Sequence, residues 1–165
     1  MQNGFHKTKL YLDTSVLSYL KQDDSPERTA ATLEFWKMLK TQNGIVVCLS
    51  DVTLAEVSDC HEPKRSFMQE KLKEIPFTLL EKDDEAERLA ERIITLGILT
   101  DKSYDDCLHI AIAVLASCNY IVSWNFRHLV NVKTINGVRA ITNLQGFSPV
   151  DIITPEMLTG GDEND

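Results

Sequence analysis

Three carboxylates, Asp13, Glu56 and Asp106, each lie beside an apolar run that we expect to be buried. Asp13 follows one such run, Glu56 lies inside a second, and Asp106 begins a third that is almost uninterrupted. Bringing several anionic groups together costs Coulomb and desolvation energy, so a cluster of carboxylates either shifts its pKa values or captures a cation. If folding brings the three side chains together, a bound divalent metal ion is the simplest explanation for them.

Each acid taken alone also has a purely structural explanation. Asp13, in an Asp-Thr-Ser triplet, fits a helix cap, and Asp106 fits a carboxylate that complements the dipole at a helix start. Glu56 either faces solvent on an amphipathic helix or is buried and must be paired. These explanations weaken when the three acids are considered together, in this order and in these contexts.

The elements that must position these acids alternate between strands and helices. Short apolar or β-branched runs predict strands, and apolar spacing with capping residues predicts the helices between them. The predicted strands are 10–12, 45–49, 77–80, 120–124 and 152–153. One predicted helix follows residue 13, and the others cover 25–42, 51–56, 63–74 and 83–96. A further helix is predicted to begin near 103 and to continue through 108–118, and one more is expected between 130 and 144.

Alternating strands and helices indicate an α/β fold. We expect a three-layer α/β/α sandwich with a central parallel sheet of about five strands. In such sheets, ligands bind beyond the carboxyl ends of the strands. Asp13 and Asn125 both lie just beyond predicted strand ends, where that rule places a functional site.

Length and charge limit the possible partners. With 165 residues, of which 43% are hydrophobic, the chain suits one domain, which we place at residues 1–158, followed by a disordered acidic tail at 159–165. The net charge of −8 argues against broad, charge-driven binding to nucleic acids or anionic membranes. A nucleic-acid substrate would therefore need a local basic patch.

Two groups of basic residues are candidates for such a patch, although both also fit ordinary solvated charge. The first group is Arg127, His128, Lys133 and Arg139, and the second is Lys64, Arg65, Lys71 and Lys73. Cysteine spacing favours reduced core thiols over a zinc site, because Cys48, Cys60, Cys107 and Cys118 form no Cys-x-x-Cys pair. The N-terminus has no apolar signal core and no segment approaches membrane-spanning length, so we expect a cytoplasmic protein without a membrane partner.

Four stretches of the sequence, in order, resemble those of the PIN (PilT N-terminal) domain family. They are Tyr11-Leu-Asp-Thr-Ser15, Ser50-Asp-Val-Thr-Leu-Ala-Glu56, Asp106-Cys-Leu-His-Ile-Ala111 and Ile121-Val-Ser-Trp-Asn-Phe126. The likeness is to the bacterial and archaeal ribonuclease toxins of the VapC type and to related stand-alone proteins. It implies a PIN-like fold and metal-dependent hydrolysis of RNA. By position, it makes Asp13, Glu56 and Asp106 the metal-binding catalytic acids.

Asn125 departs from the family pattern, because many members place a further aspartate there. An amide can orient water or bind metal through its oxygen, but it adds no negative charge, which lowers the expected affinity for a second cation. All-oxygen ligation suits Mg²⁺ or Mn²⁺ better than zinc. Ser15 and Ser123 are candidate supporting hydroxyls, and each also fits a helix end.

The remaining polar and aromatic residues near these stretches have less specific expected roles. We expect His109 to be a core or hydrogen-bonded histidine, and Trp124 to pack rather than to stack on bases. Arg127 or Lys133 is a candidate contact to RNA phosphates, because both follow the fourth predicted strand.

The resemblance also implies partners, and other protein classes compete with it. A toxin of this type would pair with a small antitoxin, and the family commonly forms dimers. A haloacid dehalogenase-type phosphatase would need a second aspartate where Ser15 stands. A receiver domain would need paired acids after the first strand and a lysine near the end of the last strand, and the sequence has neither. The stronger rival is a catalytically weak or inactive PIN-like module that binds nucleic acid or protein, which Asn125 and the acidic charge favour.

Overall fold

The computed structural model describes residues 6–160, in which five strands alternate with eight α-helices. The strands are β1 (Thr8–Leu12), β2 (Ile45–Ser50), β3 (Thr78–Leu80), β4 (Tyr120–Val122) and β5 (Asp151–Ile153). The helices are α1 (Thr14–Ser18), α2 (Pro26–Thr41), α3 (Asp51–Asp59), α4 (Lys64–Leu72), α5 (Asp84–Thr95), α6 (Tyr104–Leu115), α7 (Val132–Gln145) and α8 (Glu156–Thr159). A 3-10 turn, Asp101–Ser103, precedes α6.

All five strands are parallel and lie in the order β3-β2-β1-β4-β5. The central strand is β1, in which Leu10 is paired with Val47 of β2 on one side and with Tyr120 of β4 on the other. The strand order reverses at β1, because β2 and β3 lie on one side of it and β4 and β5, which come later in the sequence, lie on the other. This places the carboxyl ends of β1 and β4 side by side.

Two hydrophobic cores cover the two faces of the sheet. Alternate strand residues, including Tyr11 and Ile121, face the core that contains α5, α6 and α7. Their neighbours Leu10, Leu12 and Val122 face the core that contains α1, α2 and α4. The period of two in a strand produces this division. The predicted three-layer α/β/α sandwich with a five-stranded parallel sheet is confirmed.

Two predicted element boundaries were wrong. The fourth strand was predicted to continue to Trp124, but it ends at Val122, because the Trp124 backbone N–H donates to Ser15 Oγ at 2.9 Å instead of continuing the ladder. The helix predicted to begin near 103 and to continue to 118 is α6, which begins at Tyr104 but ends at Leu115. Its chain reversal uses Ser117 in a left-handed conformation (φ 54°).

Other predictions concern the ends of the chain and the cysteines. Helix α8 continues to Thr159, and residues 161–165 of the expected acidic tail lie outside the described residues. Three cysteines are buried and Cys60 is partly exposed; all four have free thiols, as expected. Within residues 6–160, no helix combines the length and apolar character needed to cross a bilayer.

Asn131 fixes the loop that joins β4 to α7. Its side-chain oxygen caps α7 by accepting from the Thr134 N–H at 2.9 Å, and its Nδ2 donates to the carbonyls of Phe126 and Arg127, each at 3.2 Å. One side chain therefore ties the start of the helix to the preceding loop. This loop also carries Asn125.

We predict that Asn131→Ala lowers the free energy of unfolding by about 1–2 kcal/mol, because the cap and both loop bonds are lost. Asn143→Ala, at an exposed position of the same helix, is the matched control and should leave the stability unchanged or slightly raise it. Urea unfolding of both variants measures the difference. Equal stabilities for the two variants would contradict the proposed role of Asn131.

Candidate active site

Asp13, Glu56, Asp106 and Asn125 line one open pocket of about 390 Å³. Asp13 comes from the end of β1, Glu56 from α3 and Asp106 from the first turn of α6. The fold therefore brings together three acids that are up to 93 positions apart in the sequence (106 − 13). The pocket lies at the carboxyl ends of β1 and β4, where the sheet order reverses.

Asp13 is the most deeply buried of the three acids, with 4% of its surface exposed. Its Oδ2 accepts hydrogen bonds from Ser15 Oγ at 2.7 Å and Ser123 Oγ at 2.8 Å. The same two hydroxyls accept from the next loop, since Trp124 N–H donates to Ser15 Oγ and Asn125 N–H donates to Ser123 Oγ, both at 2.9 Å. The two serines thus orient Asp13 and attach the β4 loop to it.

Glu56 and Asp13 face the same imidazole nitrogen. His109 Nε2 is hydrogen-bonded to Glu56 Oε1 and lies 3.6 Å from Asp13 Oδ1. The ring is 1% exposed, which agrees with the expectation of a buried, hydrogen-bonded histidine. Burial alone would lower the pKa of His109, but Tyr11, the hydrogen bond to Glu56 and the charge of Asp13 raise this pKa well above its ordinary value.

The other nitrogen of His109 begins a buried chain of hydrogen bonds. Nδ1 is 2.5 Å from Tyr11 Oη, which is 2.6 Å from Ser50 Oγ. Ser50 ends β2 and caps α3 by accepting from Thr53 N–H at 3.2 Å. Because α3 carries Glu56, these hydrogen bonds connect both Glu56 and His109 to Tyr11 of the central strand.

Asp106 has its own imidazole and amide partners. Its Oδ2 is 2.7 Å from His128 Nδ1, and its Oδ1 accepts from Asn125 Nδ2 at 3.3 Å. Asn125 Oδ1 in turn accepts from the His128 backbone N–H at 3.0 Å. Burial raises the pKa of Asp106, the hydrogen bond to His128 opposes this shift, and the negative charge of Asp13 adds to it.

The oxygen ligands of this pocket suit a hard divalent cation in their chemistry, as carboxylate and amide oxygens do. Glu56 Oε1 and Asp106 Oδ2, however, are bonded to histidines. Residues 6–160 contain no group of three or more His, Cys, Asp or Glu side chains already arranged to hold a metal ion. The acids share a pocket, but they do not form a preassembled ligand set.

The predicted phosphate contacts do not line this pocket. Arg127 and Lys133 are exposed on the loop and helix that follow β4, whereas Lys64, at the start of α4, is a lining residue. His128 contacts Asp106, and Arg139 pairs with Asp151 at 3.3 Å. The first basic group is therefore divided among different contacts. The sequence signal that could have indicated Lys64 was its position at the start of α4, the helix that follows the helix of Glu56.

Trp124 packs in the interior, as predicted. It is 4% exposed, and its Nε1 donates to Thr32 Oγ1 at 2.8 Å. Sequence reasoning missed the contact of His128 with Asp106. The available signal was weak: a histidine three positions after Asn125 in the same loop.

This chain is similar to one protein family and to two solved structures. The PIN domain family model matches residues 10–129. A solved structure of VapBC-5 from Mycobacterium tuberculosis, a member of the VapBC family of toxin-antitoxin systems, is 20% identical, with 89% of this chain and 98% of that chain covered and a TM-score of 0.49. A solved structure of VapBC2 from Rickettsia felis, bound to a DNA fragment from the VapBC2 promoter, is 14% identical over 89% of this chain and 98% of that chain, with a TM-score of 0.54.

The second of these similarities supports the fold alone, since its sequence identity is low. A search of curated proteins found no match.

We predict that Tyr11→Phe lowers the free energy of unfolding by about 1–3 kcal/mol, because His109 Nδ1 loses its buried partner. Tyr120→Phe on β4 is the matched control: Tyr120 is partly exposed, so water can solvate its hydroxyl, and the change should stay within about 0.5 kcal/mol. Chemical denaturation of both variants provides the measurement. A Tyr11→Phe protein as stable as the control would show that the hydrogen bonds of Tyr11 contribute nothing to the free energy of unfolding.

Proposed function

The chain belongs to the PIN domain family, whose members are generally nucleases, and from this premise we propose that it is a metal-dependent ribonuclease that hydrolyses RNA phosphodiesters. The observation that carries the proposal is the single pocket that Asp13, Glu56 and Asp106 line together. Three carboxylates in one partly buried pocket repel one another, and a divalent cation offsets that repulsion.

Asp13, Glu56 and Asp106 would hold Mg²⁺ or Mn²⁺, since all the expected ligands are oxygens. When bound, such an ion lowers the pKa of a water molecule and neutralises charge that develops on the phosphate oxygens. Asn125 contributes an amide in place of a further carboxylate. This reduces the negative charge of the pocket and favours one strongly held cation over two.

The protein's own side chains orient these acids. Ser15 and Ser123 hold Asp13 through Oδ2 and leave Oδ1 directed toward His109. His109 orients Glu56, and Asn125 orients Asp106. Supports of this kind keep ligands in place, and their loss typically reduces metal affinity or activity by about 10–100-fold.

An RNA strand that enters the pocket needs positive charge nearby, because the pocket is acidic. Lys64 lines it and is the better placed of the chain's candidate phosphate contacts. Arg127 and Lys133 remain candidates for phosphates farther along the strand, since both are exposed after β4.

A toxin role fits the same site. The sequence resembles the VapC-type toxins, and the similar structure from Rickettsia felis is a VapBC2 structure. A small antitoxin would act by covering the acidic pocket. We also propose a homodimer and a cytoplasmic location, both as expectations of the family resemblance and the sequence. Growth arrest on expression, relieved by the product of a neighbouring small gene, would test the toxin role.

A second candidate function is a catalytically weak or inactive PIN-like module that binds nucleic acid or protein. Two observations favour it: Asn125 stands in place of an acid, and Glu56 and Asp106 each contact a histidine. Such a module would bind its partner equally well with and without Mg²⁺.

We predict that Asp106→Asn reduces Mn²⁺- or Mg²⁺-dependent cleavage of labelled RNA by more than about 100-fold, because a direct ligand matters more than an outer support. Asp105→Asn is the matched control, since it removes the same charge from the preceding, exposed residue of α6, which does not line the pocket. Cleavage should also cease with a chelator and return when Mn²⁺ is added.

Asp13→Asn tests the same site from β1 and should behave like Asp106→Asn. If wild-type protein leaves a panel of RNAs intact with either ion, the binding-module function is correct. If Asp106→Asn and Asp105→Asn lose the same activity, the acidic pocket is not the catalytic site.

A further inference from the structure

Arg28 lies against three aromatic rings beside the acidic pocket. Its guanidinium carbon is 4.8 Å from the centroid of Phe126, 5.7 Å from that of Trp124 and 5.8 Å from that of Tyr19. Its Nη1 donates to Tyr19 Oη at 3.3 Å. A guanidinium that is held on aromatic faces is preorganised and loses little conformational entropy when it binds a further group.

Arg28 has no carboxylate partner among residues 6–160. Two other arginines of the chain do, since Arg65 pairs with Glu62 at 2.9 Å and Arg139 with Asp151 at 3.3 Å. Arg28 is also only partly buried as a residue, and Tyr19 Oη is the one hydrogen-bond acceptor of its guanidinium within residues 6–160. Arg28 therefore keeps donors that can bind an anionic group, and it holds them beside the acidic pocket.

The aromatic rings connect Arg28 to the acids. Tyr19 and Trp124 both line the pocket that contains Asp13 and Asp106. Trp124 is fixed by its hydrogen bond to Thr32, and it follows Ser123, whose hydroxyl holds Asp13. Two of the rings that Arg28 contacts, those of Trp124 and Phe126, therefore belong to the same loop as Ser123 and Asn125.

Phe126 presents an unused surface at the edge of this group. It is 42% exposed, and its ring centroid is 6.2 Å from that of Trp124. An exposed aromatic ring beside a cation is the combination that binds single-stranded nucleic acids, because bases stack on the ring while the cation neutralises a phosphate.

We propose that Arg28, Tyr19 and Phe126 form a binding subsite for single-stranded RNA next to the acidic pocket. Arg28 binds a phosphate that flanks the one to be cleaved, and an unpaired base stacks on Phe126. The subsite rests on the proposed ribonuclease function and supplies the positive charge that an acidic pocket needs in order to retain a polyanion. It also favours unpaired RNA, because a base in a duplex cannot stack on a protein ring.

The test measures binding separately from cleavage. A short, unstructured, fluorescently labelled single-stranded RNA is titrated with each protein in the presence of a chelator, and fluorescence anisotropy is recorded over a range of salt concentrations. The variants are Arg28→Ala, Arg28→Lys and Phe126→Leu. Arg88→Ala is the matched control, because it removes one positive charge from an exposed position on α5, away from the pocket.

Arg28→Ala should weaken binding by about 10-fold and reduce the slope of log K against log salt by about 0.7, as expected for the loss of one phosphate contact to a single strand. Arg28→Lys should keep the salt slope but bind more weakly than the wild type. Phe126→Leu should weaken binding by about 5-fold or more, with little change in the salt slope. Arg88→Ala should match the wild type.

Thermal unfolding of each variant shows whether its fold is intact, and Phe126→Leu tests the subsite at an exposed position if Arg28→Ala unfolds. Wild-type affinity and salt slope in both Phe126→Leu and Arg28→Lys would overturn the subsite, as would a wild-type protein that does not bind this RNA. If the variants weaken RNA binding but the wild type cleaves no RNA with Mg²⁺ or Mn²⁺, the ribonuclease function fails and the subsite stands. If the wild type cleaves RNA but the variants bind RNA normally, the ribonuclease function stands and the subsite fails.

Discussion

The mutual repulsion of Asp13, Glu56 and Asp106 is the constraint on which the rest of this site depends. The protein compensates each acid in a different way: Asp13 by two hydroxyls, Glu56 by the imidazole of His109, and Asp106 by His128 and the Asn125 amide. These contacts let the protein's own groups offset part of the repulsion within the cluster. They also mean that the imidazole contacts of Glu56 and Asp106 compete with ion binding for the same oxygens.

The parallel sheet provides the geometry for this compensation. The carboxyl ends of β1 and β4 lie side by side, so Asp13 and the loop from Ser123 to Asn125 are adjacent without any long connection. Helices α3 and α6 then bring one acid each to the same pocket, and the two helices contact each other through Glu56 and His109. The same loop also brings Trp124 and Phe126 to Arg28, so the arrangement that positions the acids also positions the proposed RNA subsite.

Local patterns in the sequence predicted most of the fold, because hydrophobic period, capping residues and strand ends are local properties. The uninterrupted run from Ile45 is one example, and it forms β2. The expectation that Asp13, Glu56 and Asp106 share a site came from the order of four stretches along the chain, and the structure places all three at one pocket. The contacts that were not predicted join residues far apart in the sequence, such as Arg28 to Phe126. The early end of β4 has the same cause, since the Trp124 N–H is taken by Ser15, 109 positions away.

The central claim is that these acids hold a hard cation in one pocket, and anomalous diffraction from crystals soaked in Mn²⁺ tests it most directly. The account predicts a peak within about 2–2.5 Å of oxygens from Asp13 and at least one of Glu56 and Asp106, with the histidine contact of that second acid broken or lengthened. Fully soaked crystals without Mn²⁺ in this pocket, or with Mn²⁺ bound only to surface acids elsewhere, would contradict it.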